Sequence, residues 1–301
     1  PEFFHNPMVG ILICVSVYAV GSGLIEVLCS PIIEACPFPD KESMMSLLHS
    51  FYCWGAVGVI VGSTLFFSIF GLENWRILAC LWALIPLYNI INFATCPIEP
   101  IVQDAEGLSM SRLLKKPIFW LFLLLMVAAG ASESSMAQWT SAFAEASLGV
   151  DKAIGDLAGP CSFAFCMGLG RLWYGKKGQN LNLLSYMKAS GVLCFAAYLI
   201  ASLSSIPLVS FVGCMISGLA VGIMWPGSIS LTSARIPGGG TALFALLALA
   251  GDMGGTLGPS LVGLCTKSAG NDIQSGILAA SVFPVILVVS LLCIRGKRNC
   301  Q

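Results

Sequence analysis

The sequence predicts an all-α integral membrane protein, and three observations carry that prediction. First, the 301 residues are 57% hydrophobic and only 10% charged, with a mean hydropathy of +0.88. A soluble domain carries roughly 25% charged residues, so this chain cannot cover its surface with polar groups and needs lipid around it. Second, nine segments reach the length of about 20 apolar residues that a bilayer helix requires, too long for barrel strands of about 10 residues. Third, lysine and arginine fall unevenly over the intervening loops. A net charge of zero gives no sign of a nucleic-acid or acidic partner. The 13 cysteines lie mostly inside apolar segments without CxxC or Cys/His spacing, and read as small buried hydrophobes.

The spans justify themselves in order. Met8–Ser30 contains "GSGLIEVLCSP", with Glu26 alone in an apolar run. Glu26 lies about 18 residues in, or roughly 27 Å along the axis, between the midplane and the far half of the bilayer. An ionised carboxylate there costs several kcal/mol, which suits a group that takes a proton when a cavity is empty and releases it in a coupled cycle. A fixed ion pair or structural acid is the plainer reading. The neighbouring Gly21 and Gly23 read as sites of close helix packing. Ser46–Phe70 carries His49 one turn inside, either a substrate contact or a hydrogen-bonded packing residue. Trp75–Phe93 is the third span.

Pro117–Phe143 contains "GASESSMAQWTS", with Glu133 about 16 residues in, near the midplane. Ser132, Ser135, Gln138 and Trp139 accompany it. Hydroxyls, an amide and an indole suit a polyhydroxylated ligand; interhelical hydrogen bonding is the alternative. Gly155–Tyr174 opens near Asp156, a charge favoured by the helix dipole. Leu183–Leu203 and Pro207–Ser230 follow. In the latter, Trp225-Pro226 offers a stacking face or shapes a kink. Thr241–Cys265 holds Asp252 among glycines, either a second proton site or an acid that fixes the helix. Ser275–Ile294 is the ninth span.

Nine spans place the chain ends on opposite sides. One set of loops holds Lys41, Arg112, Lys115, Lys116, Arg171, Lys176, Lys177, Arg235, Arg295, Lys297 and Arg298; the other holds Arg76, Lys152 and Lys267. Lys188 snorkels toward the first set. The positive-inside rule makes the first side cytoplasmic, with Pro1 outside and the C-terminus inside. The polar stretch Thr95–Pro117 is then a cytoplasmic loop, residues 95–116, between a partial N-terminal bundle (1–94) and a six-helix bundle (117–301). A shift that aligns Gly23 with Gly218 also aligns Pro31 with Pro226, Ser46 with Thr241 and Leu48 with Leu243. Such a repeat makes the first three spans counterparts of the last three and predicts a twelve-helix parent. The chain begins at Pro1 and reads as an N-terminally truncated piece of it.

That layout resembles the major facilitator superfamily. "GSGLIEVLCSP" is similar to the fourth-helix motif of its fucose permease-type sugar/proton symporters: a Gly-x-Gly pair, a Leu/Ile-Glu, and a Pro five residues after the Glu, here Gly21, Gly23, Ile25, Glu26 and Pro31. "MSLLHSFYCWGAVG" (Met45–Gly58) resembles the fifth helix, with His49 where a polar residue, often Gln, is usual. "GIMWPGSISL" (Gly222–Leu231) resembles the tenth. "GLGRLWYGKK" (Gly168–Lys177) resembles the Gly-Arg loop after the eighth helix; it keeps Gly170-Arg171 and lacks the acidic residue of the fuller motif. The resemblance implies a major facilitator fold with nine of twelve transmembrane helices present, the family's helices four to twelve. It implies that Glu26 is the coupling carboxylate and that the protein works as a monomer.

Nothing reads as an enzyme or an ATP-driven pump. There is no HExxH, and Gly238–Gly240 lacks the Lys-Ser/Thr of a P-loop. "GLGRLWYG" does not fit GxGxxG. The expectation is a secondary active transporter in a bacterial inner (plasma) membrane, taking up a sugar or similar small polar solute with protons by alternating access. Glu26, Glu133 and Asp252 are its expected proton-coupling residues, and His49, Gln138, Trp139 and Trp225 its expected substrate contacts, with no cofactor or metal. Partners are the solute, protons and the lipid bilayer. A proton-antiport exporter and a non-transporting sensor of the same fold are the alternatives. Glu34 and Arg171, at the inner ends of their spans, are expected to form an interdomain latch.

Overall fold

The computed structural model describes residues 4–98 and 107–294, the side chains of 146–148 excepted. Among the described residues there is no strand, and nine helical spans are long and apolar enough to cross a bilayer. Asn6 accepts the Met8 N–H and Pro7 pre-sets the first turn of α1 (Pro7–Ala35). Asp40 accepts from Ser43 to start α2 (Lys41–Phe70), and Gly71 ends it at φ 81°. A 3-10 turn leads into α3 (Trp75–Thr95). A short helix, α4 (Met110–Leu114), precedes α5 (Pro117–Leu148). The fifth span is composite: α6 (Lys152–Asp156), a π-helical turn (Leu157–Cys161) and α7 (Ser162–Lys177). The sixth is α8 (Leu183–Leu203). The seventh is α9 (Pro207–Val221) and α10 (Met224–Arg235), broken at Gly222 and Ile223. The eighth is α11 (Gly240–Ser268), and the ninth α12 (Ile273–Ala280) with α13 (Val282–Cys293).

All nine expected spans are present, with shifted ends. Three local expectations are corrected. The acid that caps the fifth span is Asp151, which accepts from Ile154; Asp156 ends α6 and accepts from Ser141 Oγ at 2.6 Å. Gly168–Lys177 is no loop but part of α7, which runs on through Gly175, Lys176 and Lys177. Gly21 and Gly23 face open space, with nothing within 4 Å of a Cβ added there. Of the basic residues expected at one end, Arg295, Lys297 and Arg298 lie outside the described residues, as do 99–106 of the connecting loop. The described remainder of that loop is tied down where the Leu108 N–H donates to Gly238 O (2.9 Å).

The spans from α5 onward pack closely, α5 against α11 above all. Glycines make this approach possible. A Cβ on Gly254 would lie 2.0 Å from Val127 O, and one on Gly130 would lie 2.1 Å from Gly251 O. A second seam joins α2 to α7. Here Cβ atoms on Gly168 and Gly175 would lie 3.0 Å from Cys53 Cβ and 3.2 Å from Leu47 Cβ. The first span packs on α2 and α11, and the third on α2. Of the residues in α3 only Leu78 is buried. Its remaining surface, and much of α1, is exposed and apolar, as a lipid-facing surface is.

Candidate functional site

The largest fully buried side chain is Arg171, 2% exposed in the middle of the packed spans. A guanidinium survives there only with its donors used and its charge matched. Three acceptors from three spans do this. Nη2 donates to Glu133 Oε2 of α5 at 2.9 Å, Nη1 to the His49 carbonyl of α2 at 2.9 Å, and Nε to the Gly222 carbonyl at 3.0 Å. The last bond has a cause in the sequence. In a continuous helix Gly222 O would accept from the N–H four residues on, but that residue is Pro226, which has none. Proline frees the carbonyl, the helix breaks there, and Arg171 takes the vacant acceptor. The guanidinium also faces the Tyr52 ring, 5.9 Å from its centroid.

Around this arginine the chain gathers carboxylates from distant positions. Glu133 is 16% exposed. Glu26, partly buried on α1, stands close enough to Asp252 and Glu133 for their charges to act on it. Tyr52, on the exposed side of α2, feels Glu133, Arg171 and Glu26. Asp252 follows Gly251, whose missing side chain makes room for Trp225: a Cβ there would lie 2.2 Å from the indole. Tyr198 OH donates to Ser132 O at 2.6 Å, which fixes α8 against this part of α5. Three carboxyls with one guanidinium carry excess negative charge unless they bind protons. Glu26 is the member of the three that feels both of the other carboxyls.

Gln138 and Trp139 belong to a second feature. They lie one to two turns further along α5 and line an open cleft of about 720 Å³ with Ala142, Pro259, Ser260, Gly263 and Leu264. The indole is oriented by Nε1 donating to Pro259 O at 3.2 Å, with Gly263 leaving space for the ring. The four expected substrate contacts are thus divided. Gln138 and Trp139 share the cleft, and Trp225 packs over Gly251 beside Asp252. His49 turns its Nε2 to Ser30 Oγ at 3.4 Å, so its carbonyl rather than its imidazole meets the cluster. The expected latch is also different in kind. Glu34 pairs with Lys41 at 3.8 Å, and Arg171 pairs with Glu133.

Sequence reasoning missed Arg171 and Tyr52 as members of the cluster. The signal for Arg171 was present: a lone arginine inside an apolar span requires an acidic partner, and Glu133 was available. Tyr52 lies three residues after His49 and so on the same helix face, but an aromatic residue at a membrane helix surface gives no cue by itself.

The structure is similar to that of the E. coli fucose:proton symporter FucP carrying a single substitution, with a TM-score of 0.74 and 15% identity over 93% of this chain and 75% of that one. It is equally similar to FucP in an outward conformation, described as a Major Facilitator Superfamily transporter, with a TM-score of 0.74 and 15% identity over 93% of this chain and 74% of that one. At such identity the likeness is one of fold. No curated protein matches the sequence. Residues 3–259 match the Major Facilitator Superfamily. Together with nine apolar spans, that match identifies an integral membrane protein whose family is one of transporters: the chain belongs to the major facilitator superfamily.

Proposed function

We propose that the protein is a secondary transporter that takes up a sugar or similar small polar solute together with protons. The observation that carries this reading is the buried Glu133–Arg171 pair, with Glu26 close enough to feel the charges of Glu133 and Asp252. Carboxyls are costly at this depth, and grouping them makes the charge of the site depend on bound protons. The solute occupies the cleft at Gln138 and Trp139, where an amide, a hydroxyl from Ser260 and an indole face suit a polyhydroxylated ligand. The shared fold with a protein named a fucose:proton symporter supports the same substrate class. Residues 1–94 and 117–301 rock about the site as two bodies joined by 95–116, in alternating access. The protein works as a monomer in a bacterial inner membrane with its C-terminus in the cytoplasm.

The test is uptake of a panel of labelled sugars into liposomes that hold the full-length protein, with and without an inward proton gradient, for wild type and Glu26→Gln. Gradient-driven accumulation of one sugar is expected, lost in Glu26→Gln while sugar exchange persists. Absence of uptake, or accumulation indifferent to Glu26→Gln, sinks the reading.

A further inference from the structure

We propose that Arg171 is a positioning residue that ties the protonation of Glu133 to the closing of the seam between α2 and α7. The inference rests on the transport reading above, and adds to it the part that links proton binding to shape. Arg171 joins the carboxylate cluster to that seam by hydrogen bonds on both sides. Its Nη2 holds Glu133, while its Nη1 holds the His49 carbonyl on the opposite side of the seam. Its own carbonyl accepts from Ser46 Oγ of α2 at 2.8 Å. One turn along α7, Tyr174 OH donates to Glu42 Oε2 at 3.4 Å. Cys53 is fully buried in the same seam, opposite Gly168.

The groups that face Glu133 come from several helices. Arg171 comes from α7, Tyr52 and Cys53 from α2, and Glu26 from α1, which in turn faces Asp252 of α11. While Glu133 is ionised, the buried guanidinium has its counter-charge and stays aimed at His49 O. A proton on Glu133 removes that charge, and an uncompensated buried guanidinium is strongly unfavourable. The guanidinium then leaves its buried position for a more hydrated one and gives up the His49 carbonyl, so the seam loosens. Gly222 O, freed by Pro226, sets the starting orientation of the arginine.

Cys53 reports the seam directly. In the purified full-length protein, its alkylation by N-ethylmaleimide is followed by peptide mass spectrometry and divided by that of exposed Cys96 at the end of α3, which removes the intrinsic pH dependence of a thiol. In wild type this ratio is expected to rise on acidification. In Glu133→Gln it is expected to be high and flat with pH. Arg171→Lys keeps the charge but lacks the planar fork that spans the three separated acceptors. It is expected to raise the ratio on the order of tenfold, the scale of one lost charge-assisted hydrogen bond. Pro226→Ala keeps every charge and returns a backbone N–H that competes for Gly222 O, so it carries the test if Arg171→Lys does not fold; it too is expected to raise the ratio. A pH-independent ratio in wild type, or Cys53 equally protected in all variants, overturns the proposal. Failure of the wild type to accumulate any sugar defeats the transport reading and leaves the alkylation result to decide this one.

Discussion

At the scale of single residues, small side chains decide as much as charged ones. Gly251 lets three things meet: the Trp225 indole, the α5 backbone at Gly130, and the neighbouring Asp252. A methyl group there would stand 2.2 Å from the ring, and an indole packed against the core has nowhere to retreat. Gly251→Ala is expected to destabilise the protein by about 1–3 kcal/mol, as overpacking does, and to lower the midpoint of thermal unfolding in detergent. Gly23→Ala, where a Cβ meets nothing within 4 Å, is expected to leave that midpoint unchanged or slightly raised. Equal losses from both would mean that the α5–α11 contact does not carry the stability assigned to it. The contrast also marks what the sequence hides. Glu26, Glu133 and Asp252 were legible because a carboxylate in an apolar run is expensive and so conspicuous. Glycines look alike in sequence whether they face a helix backbone or open space. Arg171 was legible as a charge but not as a buried one, because it was read as lying at the inner end of its span.

At the scale of elements, hydropathy made all nine spans legible, since no other arrangement accommodates such long apolar runs in water. Their interruptions were not legible. The break at Gly222–Ile223 follows from Pro226, but the unbroken α1 carries Pro31 at the corresponding place of the internal repeat. Proline alone therefore does not dictate a break; at Gly222 the freed carbonyl also gains Arg171 as a donor. Caps are more local and better determined. Asp272 starts α12 by accepting from Ser275 Oγ at 2.5 Å and from the Ser275 and Gln274 N–H groups at 3.1 and 3.2 Å. These bonds, that from the Ser275 hydroxyl foremost, hold its carboxyl below the usual aspartate range. The contribution is present above the unfolded-state pKa of about 3.9 and is lost as pH falls through the lower folded-state value. Asp272→Ala is expected to cost about 1 kcal/mol at pH 7, seen as a lower unfolding midpoint. The gap to wild type should narrow as the pH drops below about 3.9. A gap that stays constant into acid would assign the loss to something other than the ionised cap.

At the scale of the whole molecule, the two features of the candidate site lie at different levels of the helices, and the α2–α7 seam is closed while the Gln138–Trp139 cleft is open. Alternating access requires these to change in opposite senses. The seam depends on Gly175, whose added Cβ would lie 3.2 Å from Leu47 Cβ and 3.3 Å from Ser43 O. Gly175→Leu places a branched side chain where two helices touch, with no exit through the backbone on either side. It is expected to hold the seam open and so raise Cys53 alkylation. If the molecule moves as two bodies about the cluster, the first body must swing over the cleft, which lies wholly on the second, and cover it. A Gln138→Cys introduced in the same chain should then react more slowly with maleimide than it does without Gly175→Leu. Reciprocal change at positions on opposite sides of the carboxylate cluster is hard to obtain from a local defect, which would loosen the seam and leave the cleft untouched, or loosen both. A rise at Cys53 with an unchanged or faster reaction at Gln138→Cys would therefore count against rocking, whatever the activity of the variant.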